Sequence, residues 1–171
     1  MKLFIYNRKK KMKTLIMVRH AKARKDIPDI ADRDRPLEKR GKKDAATIGR
    51  RLKKLKVIPD IIYSSPAERA FDTAKIVAKK IGFPVKKIKI VAAIYNASVP
   101  RLLKVIKKTG AAAESIMLFG HNPEFFELAG CLAGTPIEKF STGAALCVAL
   151  DTPSWQKIPI KRGRIVFFER P

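Results

Sequence analysis

The sequence predicts an α/β fold, and two features of its apolar pattern predict it. Short apolar runs of strand length alternate with longer segments whose apolar residues recur every three to four positions. The chain ends in two strand-like runs with only a short turn-rich segment between them. We therefore expect a three-layer α/β/α domain with a mostly parallel central sheet and an antiparallel C-terminal strand pair.

The predicted strands follow the chain as apolar runs of five to ten residues. They are "TLIMV" (14–18), "PDIIYSS" (59–65), a strand within "VKKIKIVAAI" (85–94), "SIMLF" (115–119), "GAALCVALD" (143–151) and "GRIVFFE" (163–169). The last two runs can form the antiparallel pair.

Helices are predicted between these strands from apolar spacing and from capping residues. Residues 38–56 repeat apolar side chains at helical spacing. Ser65 as N-cap, Pro66 and Glu68 form a capping-box signature for a second helix that ends at Gly82. A third helix is expected after Ser98, and Asn122 is the predicted N-cap of a fourth.

Length and cysteine usage predict one domain in a reducing compartment. The 171 residues suit a single domain, 1–171, in which 1–11 form a basic extension before a second plausible start at Met12. Cys131 and Cys147 do not form a CxxC pair, so we expect small buried thiols and no zinc site. The apolar runs are too short to span a bilayer, and the N-terminus lacks signal-peptide order. The expected location is cytoplasmic.

The charge predicts attraction to polyanions. Thirty-eight Lys and Arg against 15 Asp and Glu give a formal net charge of +23. Many of these cations fall on the polar sides of the predicted helices. Aromatic residues do not interleave with them, so specific nucleic-acid binding is not expected. An acidic protein partner fits this charge.

Chemistry-bearing residues follow three of the predicted strands. Arg19 and His20 end the first strand, Arg69 opens the helix after the second, and His121 with Asn122 follows the fourth. Ligands of open α/β sheets bind beyond the carboxyl ends of the strands. Two arginines, both histidines of the chain and a helix N-terminus at one edge suit a phosphate dianion. A histidine there can act as a nucleophile.

Five stretches together resemble the histidine phosphatase superfamily, with its phosphoglycerate mutase-like fold. They are "VRHAKA", "DRDRPLEKRG", "IIYSSPAERAFDTA", "LFGHNP" and "STGAAL", which span residues 18–146. More narrowly, the chain is similar to the small SixA-type phosphohistidine phosphatases.

The resemblance implies a role for each matching position. His20 would be the nucleophile that takes the phosphoryl group, while Arg19 and Arg69 would hold phosphate oxygens. His121 would join them and stabilise the transferring charge. Arg35, in "RPL", would be an additional phosphate ligand, and Asn122 is a further candidate. No metal or other cofactor is expected, because the arginines supply the positive charge.

Two departures from the family pattern concern the third motif residue and the proton donor. The commonest motif is R-H-G, whereas Ala21 follows His20 here, as it does in SixA-like members. The larger branch usually places a Glu shortly after the third strand, but residues 89–113 contain no Asp or Glu. Asp32 or Asp34, in the long loop, could substitute, and Asp32 is the candidate we favour.

The function expected from sequence is a metal-independent phosphatase that acts on phosphohistidine of a signalling or phosphotransfer protein. A small-molecule phosphomonoesterase on the same fold is the nearest alternative. A mutase is disfavoured because the chain is short. A non-catalytic polyanion binder would exploit the charge without needing His20.

Overall fold

The computed structural model describes residues 12–137 and 139–171. Within them lie six strands of one sheet: β1 (Lys13–Arg19), β2 (Ile61–Ser64), β3 (Lys89–Ile90), β4 (Ser115–Gly120), β5 (Ala145–Leu150) and β6 (Arg164–Glu169). Their order is β3-β2-β4-β1-β5-β6, and the first four are parallel. β6 pairs antiparallel with β5, as the sequence predicted, and β5 also pairs antiparallel with β1. The expected basic extension, 1–11, lies outside the described residues.

Helices cover both faces of the sheet, which confirms the three-layer architecture. α1 (Lys39–Lys54) and α2 (Glu68–Ile81) pack on one face, with Ile16 and Val18 of β1 beneath them. α3 (Val99–Lys107) and α4 (Glu124–Ala133) pack on the other, over Leu15 and Met17. Successive side chains of a strand point to opposite faces, so a strand buried on both sides must be apolar throughout.

The predicted caps of α2 and α4 are wrong, although the helices are where the sequence placed them. α2 begins at Glu68, and no side chain caps it, so Ser65 does not form a capping box. α4 begins at Glu124 after Pro123, rather than after an Asn122 cap. Both side chains bond instead to residues distant in the chain. Ser65 Oγ lies 2.8 Å from His121 Nε2, and Asn122 Nδ2 donates to Phe140 O at 2.9 Å. The predicted stop at Gly82 is confirmed, since it ends α2 with φ +81°.

The third strand is shorter than the apolar run that predicted it. Only Lys89–Ile90 pair with β2, and single 3₁₀ turns flank them at Val85–Lys87 and Ala92–Ile94. β3 is an edge strand, and both of its residues are exposed. The chain leaves the sheet at Val91, whose N–H donates to Ser64 O at 2.8 Å, and carries Tyr95 towards the carboxyl edge.

Among the described residues, no helix combines the length and apolar character that a membrane crossing needs.

Candidate active site

A cleft of about 950 Å³ opens at the carboxyl ends of β1, β2 and β4, where the sequence placed a ligand site. Six of the predicted site residues line it: Arg19, His20, Arg35, Arg69, His121 and Asn122. The fold thus brings together residues that are up to 103 positions apart in the chain. Asp32 does not line this cleft, but it contacts two of the arginines that do. Asp34 is exposed in the same 3₁₀ turn.

His20 is held with one ring nitrogen free. Its backbone N–H donates to Gly120 O at 3.0 Å, and its Nδ1 lies 2.8 Å from Ala21 O. A carbonyl oxygen can only accept, so Nδ1 carries the hydrogen and Nε2 keeps its lone pair in the neutral ring. Burial lowers the pKa of His20 to about 3; the bond to Ala21 opposes this, and nearby cations add to it. The ring is therefore neutral at pH 7, as a nucleophile must be.

The backbone around His20 is fixed by residues that sequence reasoning did not single out. Gly143 N–H points at Arg19 O and His20 O, at 3.2 and 3.0 Å, and Gly143 has a φ of +75° that favours glycine. Thr73 Oγ1 accepts from Ala21 N–H at 3.0 Å and donates to Arg69 O at 2.7 Å. Both residues lie in family-like stretches, Gly143 in "STGAAL" and Thr73 in "IIYSSPAERAFDTA", but sequence reasoning assigned neither of them a role.

Gly41 lets α1 approach the segment that follows His20. A Cβ at Gly41 would lie 2.0 Å from Lys22 O, which is closer than van der Waals contact allows. The same carbonyl accepts a hydrogen bond from Glu38 N–H at 3.0 Å. A side chain at position 41 would therefore push the segment behind the nucleophile away from α1.

The two arginines predicted to hold phosphate are anchored in different ways. Arg19 Nη1 donates to Phe140 O at 2.9 Å, and burial lowers the pKa of this guanidinium. Arg69 is 5% exposed, and both of its Nη atoms donate to Asp32: Nη1 to the backbone carbonyl and Nη2 to Oδ2 at 2.9 Å. The Nε–H groups of both arginines remain for other acceptors.

Unsatisfied buried polar atoms are concentrated in this cleft. Five buried side-chain atoms form no hydrogen bond with a described residue: Arg19 Nε, Arg35 Nε, Arg69 Nε, His121 Nδ1 and Asn122 Oδ1. Of these, Arg35 Nε lies in an ion pair, 3.1 Å from Asp32 Oδ1, without hydrogen-bond geometry. All five belong to residues that line the cleft. A buried polar group left unpaired costs about 1–3 kcal/mol, and native proteins rarely tolerate several together. A bound anion would give partners to the four nitrogens.

Asp32 occupies the arginines that are predicted to bind phosphate. Its carboxylate lies 2.9 Å from Arg69 Nη2 and 3.1 Å from Arg35 Nε, and it accepts a hydrogen bond from Tyr95 Oη at 3.0 Å. Burial pushes the pKa of Asp32 upwards, but the Arg69 and Tyr95 hydrogen bonds and the two positive charges outweigh it. The net effect is a lowered pKa, which keeps this carboxyl ionised and does not favour proton donation. The proton-donor role of Asp32 stays a prediction.

The ring of His121 lies against that of His20, and one of its nitrogens contacts Ser65. The two ring centroids are 5.2 Å apart, and Tyr95 meets the His121 ring edge-on at 5.6 Å. Its Nε2 is 2.8 Å from Ser65 Oγ. Burial, followed by the charge of Arg69, lowers the pKa of His121 to about 4, while Asp32 opposes the shift. The ring is therefore neutral at pH 7.

The cleft rim is rich in cations. Lys22, Arg24, Lys25 and Lys39 line it. Lys22 pairs with Glu38 at 3.2 Å, and Arg24 with Asp26 at 3.1 Å.

Glu124, the first residue of α4, also lines the cleft, and sequence reasoning missed it. Its place directly after the "GHNP" segment was the available signal.

The described residues contain no cluster of three or more His, Cys, Asp or Glu side chains suited to a metal ion. Cys131 and Cys147 are free thiols. Burial raises the pKa of Cys147 to about 12, which makes it an inert thiol.

Comparisons with known proteins point to one family. The model of the histidine phosphatase superfamily (branch 1) matches residues 15–92. An uncharacterized chloroplastic protein of Arabidopsis thaliana is 32% identical over 151 residues, which are 84% of this chain and 69% of that protein.

Solved structures agree with the family match. The Agrobacterium tumefaciens protein assigned as the phosphohistidine phosphatase SixA superposes with a TM-score of 0.80 at 25% identity, covering 93% of this chain and 98% of that one. A protein histidine phosphatase SixA complexed with tungstate gives 0.78 at 22% identity, covering 92% and 96%. A mycobacterial glucosyl-3-phosphoglycerate phosphatase shares the fold, with a TM-score of 0.63 at 14% identity, covering 91% and 97%. With its fold, its family match and these relatives, the chain belongs to the histidine phosphatase superfamily and is a phosphatase.

Proposed function

We propose that this protein is a metal-independent phosphatase that forms a covalent phosphohistidine on His20 and acts on phosphohistidine of a signalling or phosphotransfer protein. The observation that carries the proposal is a set of buried polar atoms without hydrogen bonds, all from residues that line one cleft. The neutral ring of His20 lines the same cleft. Arg19, Arg69 and His121 supply hydrogen bonds to phosphate oxygens, and Arg35 and Asn122 are auxiliary ligands.

The first step transfers the phosphoryl group to His20. The Nε2 lone pair forms an N–P bond while the bond from phosphorus to the leaving atom breaks, and its electron pair goes to that atom. The hydrogen stays on Nδ1, which donates it to Ala21 O, so no base is needed to activate the ring. Phosphoryl transfer depends mainly on positioning and charge stabilisation, which the arginines supply.

The second step releases phosphate. Water attacks the phosphorus of phosphohistidine, an O–P bond forms, and the P–Nε2 bond breaks. The lone pair returns to Nε2, and the water proton leaves with phosphate or to solvent. Because the pKa of His20 is about 3, the freed ring does not need to lose a proton before the next cycle.

The ionised state of Asp32 favours a phosphohistidine substrate. An alkoxide leaving group needs a proton donor, whereas a protonated phosphoimidazole can leave as neutral imidazole, with a reference pKa of about 6.5. Asp32 is held ionised by Arg69 and Tyr95. We expect kcat/KM to fall in the order phosphohistidine, aryl phosphate, alkyl phosphate.

Glu124 gives a specific reason to keep the small-molecule phosphomonoesterase as a second candidate. This residue lines the cleft and forms no ion pair with a described residue. If alkyl esters are substrates, Glu124→Gln should reduce their turnover much more than that of phosphohistidine. Asp32→Asn in parallel identifies which carboxyl donates the proton. Faster turnover of an alkyl ester than of phosphohistidine in the unmodified enzyme would overturn the phosphohistidine proposal.

The nucleophile is tested by trapping the intermediate. Brief incubation with a labelled phosphodonor, acid-free digestion and mass mapping should place an acid-labile phosphate on His20. His20→Gln should abolish both label and turnover, while the control Cys131→Ser should retain both. Label on Ser64, Ser65 or a cysteine would contradict the mechanism. Normal turnover in His20→Gln would also contradict it, whereas polyanion binding without turnover in the unmodified protein would leave the non-catalytic alternative.

The cationic rim supports an acidic partner protein. Steered association of opposite charges is screened by salt, so kcat/KM on an acidic phosphoprotein should fall steeply between about 0.05 and 0.5 M salt. Lys25→Glu, at the rim, should reduce that kcat/KM, whereas Lys86→Glu, exposed outside the cleft, makes the same charge change as a control. Equal salt dependence for a small phosphate ester would contradict the docking role.

The two free thiols fit a compartment that keeps cysteines reduced, and a cytoplasmic location remains part of the proposal.

A further inference from the structure

We propose that Ser65 is a positioning residue that fixes His121 in the tautomer with hydrogen on Nδ1, so that this ring donates a hydrogen bond to the substrate phosphate. The inference rests on the proposed function, since it names how one residue of that site is prepared. It explains why a fully buried serine follows β2 without capping the helix after it.

Ser65 is held in place by its own backbone and by the first turn after it. Its N–H donates to Phe119 O at 2.9 Å, which ties it to the end of β4. Its Oγ accepts a hydrogen bond from Ala67 N–H at 3.3 Å. The remaining contact of this hydroxyl is His121 Nε2 at 2.8 Å.

The hydrogen atoms decide the direction of the Ser65–His121 bond. A serine hydroxyl has one hydrogen to donate, and a neutral imidazole has one protonated nitrogen. If His121 Nε2 donated to Ser65, the hydroxyl hydrogen would have no acceptor among the described residues, and Nδ1 would present a lone pair to the phosphate. If Ser65 donates to Nε2, the hydrogen without a described acceptor is instead the one on Nδ1, and a phosphate oxygen can accept it. Only this direction gives every hydrogen an acceptor once phosphate is bound.

Nδ1 of His121 is the ring atom that remains for a ligand. It is buried, and no described residue bonds to it. With hydrogen there, the ring donates to a phosphate oxygen without becoming a cation beside Arg69, whose charge and the burial of the ring hold the pKa of His121 at about 4. The site then contains a neutral donor that needs no proton uptake before binding.

The two histidines thus share a tautomer but present opposite atoms. Ala21 O keeps the hydrogen of His20 on Nδ1 and leaves the Nε2 lone pair for attack. Ser65 keeps the hydrogen of His121 on Nδ1 and directs that hydrogen to the ligand. One anchor is a carbonyl and the other is a hydroxyl, and each leaves its ring with the function it needs.

Histidine tautomers are directly measurable in this chain because it contains only two histidines. We would label the full chain with ¹⁵N-histidine and record long-range ¹H–¹⁵N spectra at pH 7, with His20→Gln to assign the rings. Both rings should show a protonated Nδ1 and an unprotonated Nε2. A His121 that is protonated on Nε2, or on both nitrogens, would overturn the inference.

Removing the hydroxyl tests whether Ser65 causes this state. Ser65→Ala should shift the His121 signals towards the Nε2–H tautomer and leave those of His20 unchanged. We expect kcat/KM on an aryl phosphate to fall by about tenfold, below the 10²–10³-fold loss typical of deleting such a donor. Ser64→Ala is the matched control, because the neighbouring buried hydroxyl donates to Ser65 O instead. Ser65→Thr should retain the wild-type tautomer.

The outcomes separate this inference from the proposed function. Spectra with an unchanged His121 tautomer in folded Ser65→Ala would overturn the role of Ser65, even if His20→Gln abolishes turnover. The predicted tautomers in a protein without phosphatase activity would keep the role of Ser65 in fixing His121, but would remove the proposed function and the hydrogen bond to a substrate phosphate.

Discussion

Both ends of the central sheet contain buried cations, but their hydrogen bonds are satisfied at one end and incomplete at the other. At the amino end of β1, Lys13 is 4% exposed, and its Nζ donates to Ala111 O and Ala113 O at 2.8 Å each. The ring of Trp155 lies 5.9 Å away, and its Nε1 also donates to Ala113 O. At the carboxyl end, Arg19 and Arg69 are also desolvated, yet their Nε–H groups have no partner among the described residues.

The difference separates a structural cation from a functional one. Lys13 donates to two backbone carbonyls, which satisfies its own buried ammonium group and stabilises the fold. The arginines leave part of their donor capacity unused, which destabilises the unliganded protein and stabilises a bound anion. Burial and charge alone therefore do not identify a site; hydrogen-bond satisfaction does.

The largest expected effect is on kcat/KM, at the carboxyl end of the sheet, where the arginines have unused donors. Arg69→Lys keeps the charge but loses the forked donors, so kcat/KM on an aryl phosphate should fall ten- to a hundredfold, about 1.4–2.7 kcal/mol. Steady-state kinetics check this, with Arg101→Lys, exposed on α3, as the matched control. Near-normal turnover in Arg69→Lys would mean that its guanidinium does not contact the phosphate.

At the amino end of β1, where Lys13 is hydrogen-bonded, we expect a substitution to reduce stability and leave activity unchanged. Lys13→Met removes two charge-assisted hydrogen bonds, to Ala111 O and Ala113 O, so the free energy of unfolding should fall by about 1.5–3 kcal/mol with kcat/KM unchanged. Urea unfolding and kinetics on one preparation test both halves, and Lys89→Met, exposed on β3, is the control. The comparison breaks down if activity is lost while stability is kept.

The neutral histidines should make stability depend on pH. Their pKa values are about 3 and 4 in the fold against 6.5 when unfolded, so the unfolded chain binds more protons as pH falls below about 6.5. Stability is fully present above that pH and is lost as pH falls towards the folded pKa values. Between pH 7 and about 5.5, each histidine should cost about 1 kcal/mol.

Urea midpoints at the two pH values give this measurement. His121→Asn should lose roughly half of the pH dependence that the two histidines cause. An unchanged pH dependence in that variant would show that folding does not lower the pKa of His121.

The smallest effect is expected at Asp32, which competes with phosphate for Arg69 and Arg35. Asp32→Ala should lower the inhibition constant of inorganic phosphate about threefold, because both guanidinium groups are released. Asp34→Ala, exposed in the same turn, serves as the control. A raised inhibition constant would mean that Asp32 positions Arg69 for binding.

Much of the site was predictable because its residues sit at strand ends. Arg19, His20, Arg69 and His121 follow apolar runs that could be found by pattern, and parallel strands bring their carboxyl ends to one edge. The N-caps of α2 and α4 were not predictable, since Ser65 and Asn122 match cap preferences but bond to distant partners, His121 and Phe140. A local propensity of about 1 kcal/mol yields to a buried hydrogen bond that the site needs.

The sequence by itself determined the strand and helix order, the two-sided burial of β1 and the set of residues at the carboxyl edge, because these follow from apolar period and chain order. Only the tertiary structure decided which hydrogen bonds those residues make. Several of these contacts join segments far apart in the chain. Thr73 and Gly143 hydrogen-bond to the backbone near His20, Gly41 approaches Lys22, and Asp32 accepts hydrogen bonds from Arg69. Such contacts depend on ångström-scale distances between elements, and no local pattern encodes those distances.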